Sequence, residues 1–165
     1  MAIPEKTMEY IITVVIVALV AIMGGIISNK NLNSWYYSDQ VVRSPHSPPG
    51  IWFGIIWTTI YVLYAWTWCT ALKSQSTFVN VIFGISIFLN LLWTVVFFGL
   101  HDIQTSKIII IALLAVVLYQ AYYMWTINEG IGTFFMLIYA SWVICATGLN
   151  FETYTVKSFH HLHGN

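Results

Sequence analysis

Five long apolar stretches, separated by short polar breaks, organise the chain. The first covers about 8–27 and stops at Ser28-Asn29-Lys30. The second covers about 50–72 and is broken by Lys73-Ser74-Gln75-Ser76. The third, about 78–100, meets His101-Asp102, and the fourth, about 106–127, ends at Asn128-Glu129-Gly130. The fifth covers about 131–156 and is followed by Lys157 and a histidine-bearing tail. Each is close to the roughly 20 residues an α-helix needs to cross a hydrocarbon core about 30 Å thick. No stretch alternates apolar and polar residues as a membrane β-barrel does. The pattern predicts an all-α, polytopic membrane protein in which residues 1–165 form a single domain of five transmembrane helices.

The first run lacks a small-residue cleavage site and is long for a signal peptide, so it reads as a span. Ala18, Ala21 and Gly25 share one face of it, which lets another helix approach closely. The connection from 29 to 49 is the one long break, and it carries Trp35, Tyr36, Tyr37, Asp39, Arg43 and His46. Connections of that length are often lids or binding loops, and Pro48-Pro49 suit the opening of the next helix. With an odd number of spans, Lys30, Arg43, Lys107 and Lys157 fall on one side and Lys6 and Lys73 on the other. The positive-inside rule then places the first loop and the C-terminus in the cytoplasm.

Composition narrows the chemistry. Of 165 residues, 59% are hydrophobic and 7% charged, against about 25% charged in soluble domains. So little charge cannot cover a water-facing surface, and the main solvent must be lipid. The formal net charge is zero, without a basic cluster, which excludes a nucleic-acid surface. Cys69 and Cys145 are isolated inside apolar runs, forming neither a disulfide framework nor a metal pattern. The middles of the spans carry no Asp, Glu, Lys, Arg or His. That argues against proton relays, ion-coupled transport and voltage sensing, and against haem held between two intramembrane histidines. His160, His161 and His163 are expected to be a flexible polar end rather than a metal site.

Aromatic residues occupy the helix faces instead. Trp57, Tyr61, Tyr64 and Trp68 follow a helical spacing on the second run. Ser86, Asn90, Trp93 and Phe97 share a face of the third, and Tyr139, Trp142, Ala146, Leu149 and Asn150 a face of the fifth. Each stripe alone is explained by packing or by an interfacial belt. Together they describe an aromatic, uncharged, mildly polar interior suited to a flat apolar ligand. Asn90 lies in mid-span, where a buried amide must be satisfied by a neighbouring helix or by a ligand.

Three ordered motifs carry a family resemblance. They are Trp35-Tyr36 with Arg43 and Ser44-Pro45-His46-Ser47-Pro48-Pro49 leading into Trp57-Thr58-Thr59-Ile60-Tyr61; Leu89-Asn90-Leu91-Leu92-Trp93 with Phe97-Phe98-Gly99; and Tyr139-Ala140-Ser141-Trp142 with Ala146-Thr147 and Leu149-Asn150. Over about 8–157 the chain resembles the translocator-protein family, also called tryptophan-rich sensory proteins. The resemblance implies a five-helix fold, commonly a homodimer, with a pocket near one membrane face closed by the long first loop. It implies binding of porphyrins, of sterols or lipids in some members, and of synthetic isoquinoline or benzodiazepine ligands.

By motif position, the resemblance assigns Trp35, Trp57, Asn90, Trp93, Trp142, Ala146 and Leu149 to ligand binding. It assigns Trp35 and Trp142 to light-dependent protoporphyrin breakdown, for which tryptophans are essential in some members. The residues themselves call for no cofactor and no metal; a bound porphyrin or haem is the group the resemblance allows. A loose sterol pattern is matched by Leu149, Tyr154 and Lys157, which serve equally as interfacial anchors. The family's loop lysine and following aromatic are replaced by Arg43-Ser44-Pro45-His46, and a glycine-spaced dimer face is not evident around Gly84. Three functions are therefore in play: a tetrapyrrole-binding membrane protein, a photochemical catalyst acting on the bound porphyrin, and a sterol- or lipid-handling or stress-regulatory scaffold.

Overall fold

The fold comes from a computed structural model, which describes residues 4–156; Lys157, His160, His161 and His163 lie outside the described residues. Among the described residues, five helices are long and apolar enough to cross a membrane. They are α1 (Glu5–Asn31), α2 (Gly50–Ala71), α3 (Thr77–Thr94), α4 (Ile103–Thr126) and α5 (Gly130–Phe151). Neighbour contacts run α1–α2–α5–α4–α3 and back to α1, so the helices form a closed ring.

Each helix buries one stripe and turns the rest to lipid. In α4 the inward positions are Ile110, Leu113, Val117, Gln120 and Met124, spaced by three and four, which is the helical repeat. In α5 they are Gly132, Met136, Tyr139, Val143, Ala146 and Asn150. Outward positions such as Ile22, Val62, Phe88 and Ile108 are exposed. In hydrocarbon such exposure carries no penalty, so close packing and interhelical hydrogen bonds must hold the ring together. Gly132 serves that contact: a Cβ there would meet Met124 Cε at 2.4 Å.

The polar breaks make tight turns. Gln75, His101 and Asn128 each adopt a positive φ, 54°, 58° and 59°, the left-handed conformation that commonly ends a helix. Asp102 caps α4: its carboxylate accepts from the Thr105 backbone N–H at 3.0 Å and from the Thr105 hydroxyl at 2.6 Å. These bonds, the hydroxyl's first, hold the Asp102 carboxyl below its usual value. A depressed folded-state pKa contributes stability above the ordinary carboxylate range, and that stability is lost as pH falls through the depressed value. Asp102→Ala is expected to remove about 1 kcal/mol, read as a lower melting temperature in detergent at pH 7. Asp102→Asn should keep the cap and abolish its share of the acid-side loss.

Two boundaries differ most from the sequence expectation. The first helix continues past 27 to Asn31 and then as a wide π-helical turn, Leu32–Tyr36. Trp35 and Tyr36 therefore belong to a helix end and not to a free loop. The fifth helix stops at Phe151, short of the expected 156. Beyond it, β2 (Tyr154–Thr155) pairs antiparallel with β1 (Val41–Val42) of the first connection, Val41 opposite Thr155. The residues of 153–156 suit a strand as well as a helix, and the backbone of the first connection supplied the partner.

Candidate functional site

A cavity of about 690 Å³ lies between α1 and α2, with α3 as its floor. The small residues Ala18, Ala21, Gly24 and Gly25 of α1 face Phe53, Trp57 and Tyr61 of α2 across it. Glycine at position 24 lets α1 come near α2: a Cβ there would stand in van der Waals contact, 3.5 Å, with the Tyr61 hydroxyl. Trp93, Thr94 and Phe98 close the far side, and among the described residues no Asp, Glu, Lys, Arg or His lines the space.

Behind this wall the rings interlock. Trp57 lies 6.0 Å from Trp93, 6.2 Å from Trp142 and 6.3 Å from Tyr139, centroid to centroid. The Tyr61 hydroxyl donates to Asn90 Oδ1 at 2.6 Å, and Asn90 Nδ2 donates to the Tyr139 hydroxyl at 3.0 Å. Neighbouring helices thus satisfy the mid-span amide, tying α2, α3 and α5 at membrane depth. The Trp93 indole N–H donates to Asn150 Oδ1 at 3.0 Å, where the Ser106 hydroxyl also donates at 3.1 Å. Asn150 therefore sets the plane of a cavity-wall ring. Asn150→Ala leaves that indole N–H unpaired and is expected to cost about 1–3 kcal/mol. A lower melting temperature with a changed near-ultraviolet circular dichroism would report it.

The expected site residues fall into four groups. Trp57 and Trp93 line the cavity. Asn90 and Trp142 stand directly behind it; Asn90 is fully buried, and the buried Trp142 indole N–H has no hydrogen-bond partner among the described residues. Ala146 is buried and Leu149 half-buried on α5, away from the cavity lining. Trp35, 5% exposed, sits at the loop end, stacked on His101 at 4.3 Å and edge-on to Phe97 at 5.5 Å. Of the sterol pattern, Tyr154 belongs to β2 and carries the Lys107 ammonium 4.9 Å above its ring.

The sequence pattern did not mark the α1 wall as a binding surface. Its signal, Ala18, Ala21 and Gly25 on one face, reads equally as a helix-packing face. A second polar cluster was also missed. Gln120 donates to Ser86 Oγ at 3.0 Å beside the Tyr64 hydroxyl, which lies 2.5 Å from Ser86 Oγ. Tyr64 and Ser86 each stood on a stripe read from the sequence; Gln120, a lone glutamine within the fourth apolar run, was the member no stripe contained.

The first connection is tied down. Ser44 donates its hydroxyl to the Glu152 carboxylate, and Val156 N–H donates to the Gln40 carbonyl at 3.0 Å. The Tyr37 hydroxyl donates to the Pro48 carbonyl at 2.6 Å. Burial, then the adjoining Tyr36 phenol, push the Tyr37 pKa up against the pull of the Arg43 guanidinium, which keeps this donor protonated.

Comparison with known proteins accords with this architecture. The chain is 26% identical over 156 residues to the tryptophan-rich protein TspO of Archaeoglobus fulgidus, covering 92% of this chain and 98% of that protein. It is 26% identical over 129 residues to protein CrtK of Rhodobacter capsulatus, covering 75% of this chain and 79% of that one. It is also 26% identical over 121 residues to a tryptophan-rich sensory protein of Cereibacter sphaeroides, covering 73% and 75% respectively. The profile of the TspO/MBR family matches residues 12–155. With five apolar helices that can cross a bilayer and a family match over nearly its whole length, the chain is an integral membrane protein belonging to the TspO/MBR family.

Proposed function

We propose that this protein binds porphyrin-like tetrapyrroles and related flat apolar ligands in the cavity between α1 and α2. One observation carries the reading: a 690 Å³ hollow walled by Trp57, Trp93, Phe53 and Phe98, without an ionised group. That volume falls within the roughly 300–1,000 Å³ of small-molecule sites. Indole and phenyl faces supply stacking and apolar burial. The hydroxyls of Tyr61, Thr58 and Thr94 line the same space and can orient polar edges of a ligand. Titration of the purified protein with protoporphyrin should quench tryptophan fluorescence to saturation at one site per chain. Quenching that rises linearly without limit would mean partition into detergent and would end the proposal. Displacement by a sterol probe, with porphyrin inert, would move the ligand class to sterols.

A second reading has its own observation. Aromatic rings run from the cavity to the loop end: Trp57 to Trp93 at 6.0 Å, Trp93 stacked on Phe97 at 5.4 Å, and Phe97 to Trp35 at 5.5 Å. An indole that gave an electron to a light-excited macrocycle would become a radical cation, and an electron from Trp35 along this row would refill it, leaving the macrocycle reduced by one electron and Trp35 oxidised by one. Trp35 and Trp142 are the tryptophans assigned to that chemistry by family resemblance. A porphyrin absorbance that decays only in light, and no longer decays in Trp35→Phe, would support catalysis; stable absorbance would leave a binder. By the positive-inside rule, Lys30, Arg43, Lys107 and Lys157 on the first-loop side, against Lys6 and Lys73 on the other, favour a cytoplasmic first loop. Labelling of an Asp39→Cys variant from one side of the membrane tests it.

A further inference from the structure

We propose that the ligand reaches and leaves the cavity sideways from the bilayer, through a slot between α1 and α2, and not past the first loop. The proposal rests on the cavity being the ligand site. The deep lining residues Val17, Gly24, Trp93 and Phe98 are buried, whereas Ala18, Ile22 and Gly25 of α1 and Gly54, Thr58 and Val62 of α2 line the same space and are exposed. The cavity is therefore continuous with the outer surface of two helices that span the membrane, where the surrounding medium is lipid. Its α1 lining reaches from residue 14 to residue 29, roughly 22 Å of helix at about 1.5 Å per residue. That is most of a hydrocarbon core about 30 Å thick, tall enough for a flat macrocycle to pass upright. The slot is widest beside Gly25 and Gly54, where a Cβ meets no atom within 4 Å.

The loop end offers the opposite. Trp35 is buried in a stack with His101, Tyr36 shares a 2.8 Å hydrogen bond with Ser47, and the connection is stitched to the end of α5 through β1–β2 and Ser44–Glu152. A ligand taking that way must break this ring stack and several hydrogen bonds; one taking the slot displaces lipid chains only. The class of ligand follows: a flat amphiphile dissolved in the membrane. Its apolar body lies against Trp57, and its polar edge lies near Ser28 and Asn29, where the cavity meets the first-loop interface.

Stopped-flow quenching by protoporphyrin in liposomes decides between the routes. Gly25→Phe and Gly54→Phe should slow association and dissociation about tenfold, a barrier rise of about 1.4 kcal/mol, with Kd moving less than either rate. Gly84→Phe, also in open space but away from the cavity, and Glu152→Ala, which releases the loop tie, should keep both rates. The two glycine variants sit on different helices, so either can decide if the other folds poorly. Unaltered rates in the slot variants, or a tenfold gain in both rates for Glu152→Ala, would overturn the lateral route. An unaltered protein without saturable binding would overturn the ligand site and the route together.

Discussion

Trp57→Ala is expected to weaken protoporphyrin binding roughly 10- to 100-fold, about 1.4–2.8 kcal/mol. Trp57 is the ring through which the cavity meets the rest of the aromatic interior, contacting Trp93, Tyr61, Tyr139 and Trp142. Truncation removes the stacking face and also leaves its neighbours free to tilt into the gap. Trp57→Phe, which keeps a smaller ring, should recover part of the loss. Trp142→Ala should act more weakly, because Trp142 touches Trp57 and Phe53 from behind and does not line the cavity. Trp66→Ala is the control: this side chain is 43% exposed on the lipid face and pairs with Phe135. Equal losses for Trp57→Ala and Trp66→Ala would mean that porphyrin binds to the hydrocarbon surface at large.

Asn90→Leu tests the polar joint behind the cavity. The leucine fills a similar volume but leaves the Tyr61 hydroxyl without its acceptor and the Tyr139 hydroxyl without its donor. Each unpaired buried group costs about 1–3 kcal/mol in general. Interhelical hydrogen bonds in membranes average nearer 0.6 kcal/mol, because unfolded helices in lipid also find partners. A net loss of about 1–3 kcal/mol, read as a lower melting temperature, is the balance between those two limits. Ligand affinity should fall with it, because Tyr61 lines the cavity and would turn its freed hydroxyl. A double-mutant cycle with Tyr139→Phe isolates the Asn90–Tyr139 bond. An Asn90→Leu protein with unchanged melting and affinity would show the joint to be energetically idle.

Trp35 and Tyr36 show why part of the site was hidden from the sequence. They follow a polar break and precede prolines, which reads as loop. The chain instead continues the first helix through a wide turn, burying both rings against Phe97 and Phe98. The Trp57–Tyr61–Tyr64–Trp68 stripe was legible as one face, yet the structure divides it. Its first two rings line the hollow, while Tyr64 and Trp68 pack on Phe83. Asn90 posed a need for partners at membrane depth, and residues distant in sequence, Tyr61 and Tyr139, bond both ends of its amide.

What the amino-acid order determined alone was the solvent and the count of spans. Five apolar runs of helical length in a chain only 7% charged have too little polar cover to be buried in a water-soluble core, so they go to hydrocarbon. The motifs at Trp35, Asn90 and Trp142 also carried the family, since they are local patterns. Tertiary structure alone decided which faces meet a hollow and which meet a partner. In lipid the apolar faces of a helix have nearly equal solvation. The choice of inner face, the room left by Ala18, Ala21 and Gly25, and the strand tie at Thr155 therefore depend on how five helices fit one another, which no single helix encodes.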